Sequence, residues 1–81
     1  MLEIYGKIGC KYCDMAKELL DSKEIPYKYY TMGIDYTVDE YKEKFPGRKT
    51  VPGVVNFGMV LGGYEELHDF VEETAGLDDD F

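Results

Sequence analysis

No stretch of the 81 residues approaches the roughly 18 consecutive apolar residues of a membrane span. The amino terminus enters a β-type run without the pattern of a secretion signal. Both absences point to a cytoplasmic protein with no membrane partner. Cysteine is scarce, with two residues, Cys10 and Cys13, and His68 is the single histidine. No second cysteine pair completes a four-ligand zinc set, so no metal is expected. Lysine and arginine are missing from residues 65–81, which carry eight carboxylates; the first 64 residues hold nine charges of each sign, and the net charge is −8. Such a chain offers no basic face for a phosphate backbone, which excludes nucleic acid as a partner. The acidic end reads as a solvated helix face, with residues 77–81 as an acidic C-terminal tail beyond a domain at 1–76. His68, among those acids, reads as a solvated or partly packed side chain. Repeats, linkers and other low-complexity stretches are absent.

What is present is compact and aromatic. The length allows one small domain with a modest core, and eight Tyr and four Phe supply large buried area per residue. Leu2–Gly6 reads as a strand. From Lys11 to Lys23, Tyr12, Met15, Ala16, Leu19 and Leu20 recur at helical spacing. Pro26 stops that helix, and Tyr27–Thr31 alternates as a second strand, giving a parallel βαβ unit. Met32–Tyr36 is a connecting loop. Thr37-Val38-Asp39-Glu40 matches a capping box opening a short helix with Val38, Tyr41 and Phe45 inward, ended by Pro46-Gly47. Residues 54–57 and 59–61, parted by the single Gly58, form an antiparallel hairpin. Gly62-Gly63 breaks the pattern. A last helix runs from about Tyr64 to Ala75 with Tyr64, Leu67, Phe70, Val71 and Ala75 on one side and Gly76 as its C′ residue. The order is β-α-β-α-β-β-α.

The chemistry concentrates at Cys10-Lys11-Tyr12-Cys13. A C-x-x-C at a strand-to-helix junction inside a βαβ unit is the sequence form of a thioredoxin-like redox site. Only a thiolate attacks a disulfide. Cys10, at the start of the helix, faces unpaired N–H groups and the positive dipole end, with Lys7 and Lys11 nearby. Its pKa is therefore expected below the ordinary thiol value, making it the nucleophile. Cys13, three residues on and on the same side, suits the resolving role. The expected Cα separation lies in the disulfide range of roughly 4.4–6.8 Å. A purely structural disulfide competes poorly, since so small a loop constrains the unfolded chain weakly and a reducing cytosol would open it. An inert pair remains the bland alternative. Downstream, Thr50-Val51-Pro52 can offer backbone groups to an extended peptide. At Gly62-Gly63 and Glu65-Glu66, glycines admit a ligand closely, exposed amides bind a carboxylate and an acid holds an amine.

Together, Lys7, the Cys10–Cys13 pair, Thr50-Val51-Pro52 and Gly62-Gly63-Tyr64-Glu65-Glu66 resemble the glutaredoxin family, dithiol type, over residues 1–76. Compact phage and bacterial members are the nearest in character, so a phage-borne copy would work in its host's cytoplasm. The resemblance implies a thioredoxin-like fold, a four-stranded mixed sheet with three helices, and a cis Pro52. It implies glutathione as co-substrate with no permanently bound cofactor. Lys7 and Tyr12 would contact it from the first helix, Thr50 and Val51 beside Pro52 would pair with its backbone, and Gly63, Tyr64, Glu65 and Glu66 would receive its γ-glutamyl end. A basic rim of Lys7, Lys11, Arg48 and Lys49 with one acidic corner suits two carboxylates and one amine. Lys11 departs from the proline common after the first cysteine, Gly53 replaces a longer polar residue, and Glu65-Glu66 replaces a pair usually containing Asp. The implied activity is reduction of protein disulfides and protein–glutathione mixed disulfides by a monomer, with ribonucleotide reductase as a family-level acceptor. Competing readings are a redoxin fed by thioredoxin reductase, a glutathione-bridged iron–sulfur cluster carrier, which Lys11 argues against, and a non-catalytic binding module of the same fold.

Overall fold

The computed structural model describes residues 1–79, and side chains as far as Glu73. Its elements are β1 (Leu2–Gly6), α1 (Lys11–Ser22), β2 (Tyr27–Thr31), α2 (Val38–Lys44), β3 (Gly53–Asn56), β4 (Met59–Gly62) and α3 (Tyr64–Asp79). The four strands form one mixed sheet in the order β2-β1-β3-β4, with β1 parallel to β2 and antiparallel to β3, and β3 antiparallel to β4.

Alternation along the central strands divides the core between two faces. Leu2, Ile4 and Val54 pack with Ala16 and Leu20 of α1 and Leu67 and Val71 of α3. On the other face, Val55 joins Tyr36, Tyr41 and Phe45, with Tyr5, Tyr30 and Met32 around them. The aromatic residues lock together there: Tyr41 and Phe45 lie 4.7 Å apart between ring centres, and Tyr5 and Tyr30 lie 4.8 Å apart. The Tyr36 hydroxyl donates to the Gly6 carbonyl at 2.7 Å, tying the β2–α2 loop to the end of β1.

Local signals act as their chemistry requires. The capping box is complete: Glu40 N–H donates to Thr37 Oγ1 at 3.1 Å, and Thr37 N–H to Glu40 Oε1 at 2.8 Å. The α1 helix closes before Pro26 through a Schellman arrangement, in which Ile25 N–H donates to Leu20 O at 2.9 Å and Glu24 N–H to Asp21 O at 3.1 Å. Glu24 takes the left-handed position, φ 57°, where glycine is usual.

Four expectations change. Phe57 belongs to the hairpin turn, not the strand: Phe57 and Gly58 both have positive φ, 50° and 81°. A two-residue hairpin needs that pair of conformations to match strand twist, so turn geometry overrides the β preference of Phe57. Val38 is exposed, because the buried residues at α2 are Tyr41 and Phe45. Met15 is only half-buried. Finally, α3 passes through Gly76 and reaches Asp79, since glycine weakens a helix by about 1 kcal/mol without forbidding it. The Ala75 side chain, Asp80 and Phe81 lie outside the described residues. Among the described residues no helix is long and apolar enough to cross a membrane.

Candidate active site

The carboxyl end of β1 delivers the cysteines. After Gly6 the chain turns through Lys7 and Ile8 to Gly9, whose φ of 77° is one that side chains rarely adopt. That turn leaves Cys10 extended, at φ −102° and ψ 114°, as the N-cap of α1. Its sulfur fills the position where Ser or Asp usually caps, accepting from Cys13 N–H at 3.2 Å. The sulfurs of Cys10 and Cys13 are in bonding contact, with their Cα atoms 5.2 Å apart. Cys13 is wholly buried, whereas Cys10 keeps 9 % of its surface. Cys10 lines a groove, and Cys13 lines none of those described.

Across from them runs the α2–β3 loop. Val51 and Pro52 are joined by a cis bond, and Val51 O lies 3.8 Å from Cys10 Sγ. The loop is held from below, where Tyr41 donates its hydroxyl to Thr50 O at 2.6 Å. It is held laterally as well: Arg48 Nη2 donates to Pro52 O at 3.3 Å, and the guanidinium covers the bare Cα of Gly63. Among the described residues Arg48 Nε is buried without a hydrogen-bond partner.

Two grooves meet at Val51. One, of about 380 Å³, is lined by Tyr12, Arg48, Thr50, Val51, Pro52 and the start of α3 from Gly63 to Glu66. Tyr12 and Tyr64 stand 5.8 Å apart between ring centres across it. The second, of about 660 Å³, reaches Cys10 and carries Lys7, Lys42, Arg48 and Lys49 around apolar walls from Met32, Val38 and Tyr41. Eight residues expected at the site, Tyr12, Thr50, Val51, Pro52, Gly63, Tyr64, Glu65 and Glu66, therefore share one groove, and Lys7 lies in the other beside Cys10.

The expected basic rim is revised. Lys11 points into neither groove, and Lys42, which sequence reasoning left out, takes its place. The acidic corner is partly committed too. Glu66 Oε1 accepts from Gly63 N–H at 2.7 Å, capping its own helix, and this bond, with Arg48 adding to it, holds the Glu66 carboxyl below the usual range. Glu65 is exposed and makes no such bond among the described residues. Thr50 O is likewise taken by Tyr41, which leaves Val51 the freer backbone of that pair. Among the described residues no group of three or more His, Cys, Asp or Glu side chains could hold a metal ion.

Comparison with known proteins agrees with this geometry. The glutaredoxin family model matches residues 2–58. The chain is 38% identical over 74 residues to glutaredoxin 1 of Rickettsia conorii, covering 86% of this chain and 71% of that protein. It is 34% identical over 77 residues to glutaredoxin 3 of Escherichia coli, covering 95% and 92%. Among solved structures it resembles a buckwheat glutaredoxin–glutathione complex, with a TM-score of 0.65, 26% identity and coverage of 93% and 69%. A C-x-x-C capped onto a helix, facing a cis-proline loop on a β2-β1-β3-β4 sheet, together with these matches, makes the chain a member of the glutaredoxin family of thiol–disulfide oxidoreductases.

Proposed function

We propose that the chain is a dithiol enzyme that uses glutathione to reduce protein disulfides and protein–glutathione mixed disulfides, with Cys10 as nucleophile and Cys13 as resolving thiol. The observation that carries this reading is the asymmetry of the pair: Cys10 opens to a groove and Cys13 is buried behind it. When the bond between them is reduced, Cys10 Sγ sits at the N-cap, where the Cys13 amide and the helix dipole favour thiolate over thiol.

That thiolate attacks a sulfur of the substrate disulfide. A bond forms from Cys10 to the attacked sulfur, and the other substrate sulfur leaves with the electron pair and takes a proton from water. Cys13 then attacks Cys10 Sγ, releasing the second substrate thiol and closing the Cys10–Cys13 disulfide. Two glutathione molecules restore the dithiol and leave as glutathione disulfide, so two electrons pass in each turn. Where the substrate is a glutathione mixed disulfide, a second glutathione can replace Cys13.

Glutathione fits the smaller groove by its chemistry. Val51 supplies peptide backbone, the N-terminus of α3 supplies amides for a carboxylate, Glu65 is free for an amine, and Tyr12 and Tyr64 close the sides. Lys7 is placed to meet a second carboxylate beside Cys10. A glutathione complex in a buckwheat relative of similar fold supports the same assignment. The test is turnover of a glutathionylated peptide with glutathione and glutathione reductase as electron source. Saturable turnover is expected, whereas exclusive use of thioredoxin reductase would contradict it.

A further inference from the structure

Cys13 has a chemical problem that the groove-side residues do not solve. It is fully buried between β1 and α1, and whenever the Cys10–Cys13 bond opens it must leave as an anion. A thiolate in apolar surroundings is costly, and bulk water does not reach it.

One polar group stands beside it. A Cβ built on Gly6 would lie 2.9 Å from Cys13 Sγ and would collide with the Tyr29 hydroxyl. Sulfur and hydroxyl thus both lie against the space that a side chain at Gly6 would fill. Tyr29 is Ile4's register partner on β2, and its half-buried ring packs against the core. Lys17 Nζ sits 4.4 Å from the ring centre and pairs with Asp14 at 3.7 Å. Among the described residues the Tyr29 hydroxyl has no hydrogen-bond partner. Tyr29 also lines a cavity of about 280 Å³, with Lys7, Gly9, Asp14, Lys17 and Thr31, large enough for several waters.

From this juxtaposition we infer that Tyr29 is the acid–base group of the resolving sulfur, passing a proton between Cys13 Sγ and water in the cavity that Tyr29 lines. The inference rests on the thiol–disulfide reading above. As a reductant thiolate attacks Cys10 Sγ, a bond forms between those sulfurs, the Cys10–Cys13 bond breaks, and the electron pair goes to Cys13 Sγ. Tyr29 donates its hydroxyl hydrogen to that sulfur and recovers a proton from cavity water. When Cys13 attacks a mixed disulfide on Cys10, the proton travels the other way. Burial, with Asp14 nearby, raises the Tyr29 pKa above the ordinary tyrosine value, so the hydroxyl does not ionise and works as a relay that gives up one hydrogen as it takes another from water.

The test is Tyr29→Phe, which keeps the ring, its packing and its contact with Lys17. Stopped-flow reduction of the oxidised protein by glutathione, and separately by dithiothreitol, should slow about tenfold, the kinetic equivalent of one hydrogen bond. In a Cys13→Ser chain, assayed by deglutathionylation, the same substitution has no sulfur to serve and should change the rate less than twofold. Equal slowing in both backgrounds, or none in either, would overturn the proposal. A wild-type protein reduced by dithiothreitol but not by glutathione would instead defeat the glutathione reading and leave the Tyr29 comparison intact. Thermal unfolding of both chains shows whether Tyr29→Phe folds. Should it not, the solvent isotope effect on wild-type disulfide reduction decides: a value above about two supports proton transfer to Cys13, and unity refutes it.

Discussion

Cys10 Sγ lies 3.8 Å from the carbonyl oxygen of Val51, 41 residues further along the chain. That approach joins the two halves of the site, because the strand-to-helix junction supplies the reactive sulfur and the cis-proline loop supplies the backbone a peptide can pair with. Arg48 extends the join to a third segment, reaching Pro52 O on one side and the start of α3 on the other.

The contact between Arg48 and Gly63 is tight enough to test by double substitution. An alanine methyl at position 63 would strike the guanidinium. Gly63→Ala should therefore lower stability by about 1–3 kcal/mol in denaturant titration. Arg48→Ala in the same chain should recover at least about 1 kcal/mol of that loss. Simple additivity of the two losses would contradict the packing described.

Most of the frame was legible in the sequence because its boundaries are chemical. Pro26, the Thr37–Glu40 box and the Gly62-Gly63 break mark element ends by local bonding, and the observed elements follow them. What escaped depends on partners distant in sequence. Phe57 has strand chemistry but serves a turn, since the register of β3 on β4 fixes the loop at two residues. Val38 fits helical spacing, yet spacing does not say which stripe meets the sheet. Half of the cap on α3 was hidden, because Gly63 at the N-cap has no side chain to pair with Glu66 and the sequence sign of a capping box is missing. The residues expected at the site fall together in two adjoining grooves, while the exchange of Lys11 for Lys42 depends on helix orientation.

Glu24 offers a stabilising change. It occupies a left-handed position, which costs a residue with a side chain about 1–2 kcal/mol relative to glycine. Glycine's greater freedom in the unfolded chain returns part of that difference. Glu24→Gly should raise stability by about 1 kcal/mol, near 4–8 °C in Tm for a domain of this size. A lower Tm would show that the Glu24 side chain contributes more than its backbone conformation costs.

Glu66 makes the stability depend on acid. Its carboxyl is held below the usual value, first by the Gly63 amide and then with help from Arg48. A carboxyl depressed in the folded state adds stability above its unfolded pKa of about 4.3, and that contribution disappears as pH falls through the lower folded value. Glu66→Gln should be less stable than wild type at pH 7 and should lose less on acidification below about pH 4.3, so the two curves converge at low pH. Parallel curves in urea titrations across pH 2–7 would contradict the capping role.

Cys10 and Cys13 divide the labour of exchange between them, and serine substitutions read that division directly. With glutathione and glutathione reductase supplying electrons, turnover is measured on a glutathionylated peptide and on a protein disulfide. Cys10→Ser should lose both activities. Cys13→Ser should keep reduction of the glutathione mixed disulfide and lose reduction of the protein disulfide. Turnover surviving in Cys10→Ser, or both activities surviving in Cys13→Ser, would contradict the account.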